Sequence, residues 1–351
     1  MLFYCDLAPN YAKIPHMKAK ILNKGEEAEW LKFAQSHPLG SIHQSPCWGH
    51  FQAAVPSRGK YWIIALYDNG QIVGGTVLIR HSVKGYSWLY AARGPLIDYR
   101  HPKEQLAALL DAIEPIAKEE KAVFLRINPP LATTPKLPNF HPVIHGFQPE
   151  HTLIIDIEQS EPAILKQMKP KGRYNIKLAH KKGVAVQRIN PKNAEELQLG
   201  AKAFYDLMAE TTRRDGFHSH NEEYYHNMIS NLHCQDQAAL YIASYQHEAI
   251  AATIVTYFKD TATYYYGASS NEHRNLMAPY ALHWKAIQDA RSKGYTKYDM
   301  FGVAPAHEKH HPWAGITQFK SKFGGEYHEY APAQEHTYKK LLHSIYKFRK
   351  K

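Results

Sequence analysis

Ala65-Leu-Tyr-Asp-Asn-Gly-Gln-Ile-Val-Gly-Gly-Thr-Val77 lines up without a gap on Ala243-Ser-Tyr-Gln-His-Glu-Ala-Ile-Ala-Ala-Thr-Ile-Val255. Both stretches read as two strands around a tight turn, and Asp68-Asn69-Gly70 is the stronger hairpin signal. Each copy runs on into an aromatic strand, at residues 86–90 in the first and 263–266 in the second. A helix follows in each. Leu106, Leu109, Leu110, Ile113 and Ile116 recur at helical spacing in one, and Tyr280, Trp284, Ile287 and Ala290 in the other. Each copy then ends on an apolar strand that stops at a proline, Val123-Phe-Leu-Arg-Ile-Asn-Pro129 and Tyr298-Asp-Met-Phe-Gly-Val-Ala-Pro305. The chain is therefore expected to be α+β (mixed α/β), a duplicated unit of hairpin, strand, helix and strand. The expected division is a first domain over residues 1–150, a second over 151–335, and a basic tail or helix over 336–351. No low-complexity linker separates the halves, so they are expected to pack as one body.

Composition narrows the class. With 351 residues and 44% hydrophobic side chains the chain can fill two ordinary cores, which excludes disorder for most of it. No run reaches the roughly 18 apolar residues of a membrane span, and the first residues lack the basic-then-apolar order of a signal peptide. Cys5, Cys47 and Cys234 are too few and too scattered for a disulfide framework or a structural zinc site, so a reducing, cytoplasmic setting is expected. The net charge of +11 is local. Residues 166–182 hold seven Lys/Arg and residues 339–351 six more, neither with an acid, which leaves the rest of the chain near neutral. Two such strips point to contact with polyanions.

The duplicated unit is similar to the GNAT-type acyltransferase core. A coenzyme A enzyme needs a glycine-rich turn before its central helix, where bare backbone N–H groups approach the pyrophosphate. Here those turns read Arg274-Asn-Leu-Met-Ala-Pro-Tyr280 and Tyr99-Arg-His-Pro-Lys-Glu104, without a glycine, so a different acyl donor is expected. Seven further stretches, in family order over nearly the whole chain, resemble the FemABX peptidyltransferases. They are Gln44-Ser-Pro-Cys-Trp48, Arg93-Gly-Pro-Leu-Ile-Asp98, Thr212-Arg-Arg-Asp-Gly-Phe217 and Tyr266-Gly-Ala-Ser-Ser-Asn-Glu-His-Arg274, then Ala278-Pro-Tyr-Ala-Leu-His-Trp284, Lys293-Gly-Tyr-Thr-Lys-Tyr-Asp299 and Phe319-Lys-Ser-Lys-Phe-Gly-Gly325. The resemblance implies two tandem GNAT-like domains, each a mixed sheet with flanking helices. It implies aminoacyl-tRNA as co-substrate with no other cofactor, and as acceptor an amine on the stem peptide of a UDP- or lipid-linked peptidoglycan precursor. Some members carry a coiled-coil arm in the second domain. The short stretch over residues 217–238 leaves no room for one, and a monomer is expected.

The resemblance places at Lys320 a cation near the ester of the aminoacyl-tRNA. A fixed ammonium there would stabilise the negative oxygen of a tetrahedral intermediate, with Phe319 stacking on the terminal adenine or supporting the lysine. The neighbouring Lys322 competes for the role. Thr212, Arg213 and Arg214 close a helix where, in the family, the acceptor's pyrophosphate binds. Adjacent arginines suit phosphates, and a helix C-terminus favours cations by its dipole alone, so the choice between the two stays open. The family often carries a lysine four residues after the N-terminal tryptophan. Gln52 stands there, which moves the charge to Arg58 or Lys60, or points away from a UDP-linked acceptor. Tyr90, Arg93 and Asp98 follow the first aromatic strand; the Asp98 carboxylate either takes a proton from the incoming amine or caps the turn before Pro102. Tyr264, Tyr265 and Tyr266 alternate along a strand, with Tyr266 the candidate for substrate contact.

Lys169, Lys171, Arg173 and Lys177 are the candidate tRNA contacts of the first basic strip; the alternative is a solvated helix face. In the second strip Leu341, Leu342, Ile345 and Phe348 share one face, so it either binds tRNA or lies on the anionic inner face of the membrane. His307, His310 and His311 beside Glu308 lack metal-ligand spacing and read as a loop over the cleft. Two other functions remain: a GNAT-like acyltransferase for another amine metabolite, and a non-catalytic protein that binds tRNA or a cell-wall precursor.

Overall fold

In the computed structural model, residues 17–348 are described except Lys84, Ile144, His145, Cys234 and Lys309; Cys5, Cys234 and the last three basic residues of the tail lie outside. The first half runs β1 (Lys18–Ile21), α1 (Glu27–Ser36), α2 (Pro46–Ala53), β2 (Tyr61–Asp68), β3 (Gln71–Val83), β4 (Tyr86–Ala91), α3 (Pro102–Glu119), β5 (Phe124–Ile127) and β6 (Phe140–Pro142). The second half opens with β7 (His151–Asp156), α4 (Glu161–Gln167), α5 (Pro170–Lys181), β8 (Ala185–Arg188), α6 (Ala194–Asp215) and α7 (Glu222–His233). It continues with β9 (Ala238–Tyr245), β10 (Glu248–Phe258), β11 (Thr261–Ser269), α8 (Ala278–Ser292), β12 (Lys297–Asp299), α9 (Ala314–Lys320) and β13 (Glu326–Glu329). Last come β14 (Gln334–Thr337) and α10 (Lys340–Phe348).

The duplication is present in the backbone. The β2–β3 turn has Asn69 at φ +48° and Gly70 at +80°, and the β9–β10 turn has Gln246 at +49° and His247 at +68°. Two successive left-handed residues are what a two-residue hairpin needs to match the strand twist. His247 takes that conformation without being glycine, which explains why the second hairpin is fainter in the sequence. In each half the hairpin leads to a strand, a crossover helix and a parallel strand: β4, α3, β5 and β11, α8, β12. The apolar stripe of α3 (Leu106, Leu109, Ile113, Ile116) covers one face of the first sheet, and Tyr280, Trp284, Ile287 and Ala290 of α8 do the same for the second.

The sheets order as β1-β2-β3-β4-β5-β14-β6 and β13-β7-β12-β11-β10-β9-β8. β14 thus belongs to the first sheet, between β5 and β6, and a boundary at residue 335 falls inside this strand. Of the expected tail or helix, the structure has the helix, α10, packed on the first sheet. Tyr346 of α10 packs on Trp88 and Phe124 at ring distances of 5.6 and 5.2 Å. Glu335 of β14, buried, accepts from Arg126 of β5 and is 2.7 Å from His343 of α10. The halves share a core between α1–α2 and α6–α7, where Trp30, Trp48 and Phe51 pack with Phe204, Tyr224 and Tyr225. Between α6 and β9 the described residues form a loop and α7, with no long arm.

Candidate active site

β11 and β12 pair only from Thr261 to Thr263 against Lys297 to Asp299, whereas β11 continues to Ser269 against β10. Beyond Thr263 the parallel strands part. Lys320, the last residue of α9, fills the opening: its Nζ donates to the Gly302 carbonyl at 2.7 Å and the Phe301 carbonyl at 3.3 Å, and lies 5.0 Å from the Tyr264 ring centre. The side chain is 6% exposed, and burial pulls its pKa down to about 7 against the opposing pull of Asp299. Phe319 packs on Tyr280, His283 and Phe323 at ring distances of 5.1 to 5.6 Å, so it fixes the helix end that carries the lysine. Lys322 is half-buried, and its carbonyl accepts from the Lys169 amide at 3.1 Å.

Asp299, in the sequence only the end of a resembling stretch and not a site candidate, completes this arrangement. Its Oδ1 accepts from Thr152 Oγ1 and from the Phe301 amide (2.7 Å). Phe301 sits at φ +56°, a conformation costly for an aromatic residue. The carboxylate therefore holds the turn whose two carbonyls hold Lys320. Burial raises the Asp299 pKa, while the hydrogen bonds from Thr152 and Phe301 and the charges of Arg93 and Lys320 oppose the rise.

The three tyrosines of β11 do not alternate. Tyr266 pairs with Ile254 and Tyr264 with Val255, which leaves Tyr265 as an extra residue in a bulge. Tyr264 faces His283 and Lys320, Tyr265 faces His43 and Trp48 of the first half, and Tyr266 faces Tyr224 and Tyr225 of α7. Tyr265 is 3.0 Å from His43 Nε2 and stacks 4.9 Å from Phe301, so it joins the first domain to the lysine's turn. The Gln148 side chain sits among Tyr265, Tyr90 and His43. Burial holds the Tyr90 hydroxyl up at about 12 and His43 down at about 3.

Gln52 is buried and its Oε1 accepts from Arg58 Nη1. The Arg58 guanidinium also lies 5.6 Å from the Tyr224 ring centre, and its charge together with burial pulls His220 down to about 4. Tyr224 in turn meets Tyr266, hydroxyl to hydroxyl, at 3.2 Å. A cation thus stands beside Gln52 at Arg58, facing Tyr224 of the second half. Lys60 is elsewhere, paired with Glu119 and Glu120. Arg93 is buried, donates to the Pro149 carbonyl at 2.8 Å and lies 4.4 Å from the Tyr330 ring centre. With His43, Thr256, Asp299 and Phe301 it lines a cavity of about 270 Å³ between the halves, with Lys259 and Lys297 among its other lining residues. Asp98 is not part of this group. It binds Arg100 through both carboxylate oxygens, at 3.0 and 3.2 Å, which holds its pKa low and makes it a poor proton acceptor.

Arg214 is committed to Asp215, the Ser269 carbonyl and Asn271. Thr212 bonds back to the Ala209 carbonyl. Arg213 is exposed, with one bond from Nε to Ala209. On α5, Lys169, Lys171 and Lys177 are exposed, whereas Arg173 is half-buried and donates to the carbonyls of Met168 and Leu165, closing α4. Gly172 brings this basic helix against the Lys320 segment; a Cβ there would meet the Lys322 carbonyl oxygen at 2.4 Å. His307, Glu308, His310 and His311 line a shallow surface depression. Among the described residues the only group with converging ligand atoms is Glu248, Glu272 and His273, none of them buried.

The family model of the FemAB family matches residues 26–143, 139–248 and 230–351. The chain is 25% identical over 370 residues to the lipid II:glycine glycyltransferase of Staphylococcus saprophyticus, covering 83% of this chain and 87% of that protein. The crystal structure of FemX matches with a TM-score of 0.81 at 22% identity, covering 94% of this chain and 99% of that one. A tandem GNAT protein from the clavulanic acid biosynthesis pathway matches with a TM-score of 0.53 at 12% identity, over 91% and 98%. With the family model spanning nearly the whole chain and two mixed sheets of GNAT-like topology beneath it, this protein belongs to the FemAB family and is a transferase.

Proposed function

We propose that the protein moves an amino acid from aminoacyl-tRNA to a side-chain amine on the stem peptide of a peptidoglycan precursor. The observation that carries this reading is the buried Lys320 ammonium in the opening between β11 and β12. The basic helix α5 packs on the Lys320 segment at Gly172, and Phe301, whose carbonyl accepts from Lys320, lines the interdomain cavity. The uncharged acceptor amine attacks the ester carbonyl, an N–C bond forms, and the carbonyl oxygen takes negative charge beside Lys320. The ester C–O bond then breaks, and the ribose oxygen leaves with the proton the nitrogen gives up. A fixed charge in a dry site is worth far more to that oxyanion than one in water.

Lys169, Lys171 and Lys177 suit the phosphates of tRNA; Arg58 and Arg213 suit those of the acceptor. The relative's name supports a lipid-linked acceptor, met at the cytoplasmic face, and no described helix is long and apolar enough to cross a membrane. The test is radiolabel transfer from charged tRNA to UDP-linked and lipid-linked precursors side by side, with the wild type and Lys320→Ala. Transfer to the lipid-linked form that Lys320→Ala abolishes is the expected result. Absence of transfer to either precursor refutes the reading.

A further inference from the structure

The last helix is packed the wrong way round for an ordinary surface helix. In α10 the buried residues are His343 and Tyr346, whereas Leu341, Leu342 and Ile345 are 77%, 36% and 37% exposed. At about 100° per residue, Leu341 and Ile345 point roughly opposite to the buried pair. The helix therefore turns its aliphatic side outward and its histidine and tyrosine inward. Lys340 and Lys347 are exposed beside that face, Lys339 donates to the Lys121 carbonyl at 2.8 Å, and residues 339–351 contain no acid.

The inward side is firmly seated. Tyr346 touches Trp88, whose ring is 6.2 Å from that of Phe147. Phe147 is 42% exposed and lies 5.4 Å from Tyr90. The buried side of α10 is thus seated through Tyr346 and Trp88, while its aliphatic side looks outward with Lys340 and Lys347 exposed beside it. Phosphate backbones reward the lysines alone, since leucine and isoleucine side chains gain nothing from them. An anionic bilayer rewards both, by burying the aliphatic face at the headgroup boundary and attracting the lysines.

We infer that α10 docks the enzyme on an anionic membrane surface, with Leu341, Leu342 and Ile345 inserted and Lys340 and Lys347 at headgroup level. The docking rests on the lipid-linked reading for its purpose, because it holds the enzyme at the surface from which such a precursor projects. Binding itself is measured without any transfer.

The experiment is co-sedimentation of the full chain with vesicles of phosphatidylcholine alone or with phosphatidylglycerol added. A Leu341→Ser/Leu342→Ser/Ile345→Ser variant and a Lys340→Gln/Lys347→Gln variant accompany it. These positions are exposed, so both variants should melt with the wild type. The wild type should partition to anionic vesicles. The serine variant should lose at least tenfold, and the glutamine variant about fivefold per lysine, with a steep salt dependence. Transfer to a soluble UDP-linked acceptor, if the wild type performs it, should be unchanged in both. Equal vesicle binding by the serine variant overturns the proposal. So does loss of tRNA affinity in that variant with vesicle binding intact. Vesicle binding that depends on the aliphatic face, by a chain that transfers nothing, upholds the docking and refutes the chemistry.

Discussion

Replacing Lys320 with methionine sets its cost against its use. The residue gives up its proton at about pH 7 in the folded chain and near 10.5 in the unfolded one, because burial penalises the ammonium. Between those values the unfolded chain holds a proton that the folded chain has shed, so folding stability rises with pH across the window. Below pH 7 both states are charged and the full penalty stands. At 1.36 kcal/mol per unit, it amounts to about 5 kcal/mol. Methionine does not titrate. It leaves the Phe301 and Gly302 carbonyls without their donor, a loss of about 1–3 kcal/mol that is the same at every pH. The difference between the two proteins in urea unfolding should therefore slope with pH. The methionine variant should lead by a few kcal/mol at pH 6.5, and its lead should shrink steadily up to pH 10. Transfer by the variant should fall by a factor of about 10² to 10³, the usual cost of one oxyanion donor. A flat stability difference from pH 6.5 to 10 would refute the buried, depressed lysine. Transfer at wild-type rate would refute its role.

Asp299→Asn keeps an acceptor for the Phe301 amide and removes the charge that holds the Lys320 pKa up. The alkaline limb of kcat/KM should move to lower pH with the acceptor KM unchanged, whereas Asp299→Ala should also lower kcat at every pH. Arg58→Gln should raise the acceptor KM by about 10- to 100-fold, the worth of one charged hydrogen bond, and leave the KM for charged tRNA unmoved. Glu335→Gln leaves the buried Arg126 without a carboxylate. That should cost about 3–5 kcal/mol in urea unfolding, and hydrogen exchange should show β14 and α10 opening first.

The duplication was legible because a hairpin carries its period in every residue, and thirteen aligned positions make the repeat visible. Lys320 was legible through the motif around it, but its burial was not: nothing in Phe-Lys-Ser-Lys says which lysine enters the opening and which stays half-exposed. Tyr265 was obscured by the bulge, since an inserted residue breaks the alternation by which strand faces are read. Asp299 and Thr152 are 147 residues apart, and two ordinary polar residues at that distance leave no local signal. Glu335 ends the region assigned to the second domain, yet its partner Arg126 lies in the first. The charge pattern gave the two basic strips their positions without separating Arg173, which closes a helix, from the lysines around it.

The two copies differ at the point where their parallel strands part, and only the second places a buried lysine there. In the first copy β4 and β5 separate after Ala91 and Ile127, but the opening is closed at once. The Asn128 amide donates to the Gly94 carbonyl at 3.1 Å, and Gln44 donates to the Ala92 carbonyl at 2.7 Å. The closure is tight enough that a Cβ on Gly94 would meet Gln44 Nε2 at 2.5 Å. A neutral amide here satisfies the backbone groups that diverging strands leave without partners. In the second copy the same task falls to Lys320. An ammonium meets the carbonyls as well as an amide does, at the cost of burying a charge. On the proposed reading the charge at the second opening has a use that offsets this cost, whereas the first opening, with glutamine, has none. Arg93, two residues past the first opening, turns instead to the shared cavity, so the sealed copy still contributes a cation to the site of the open one.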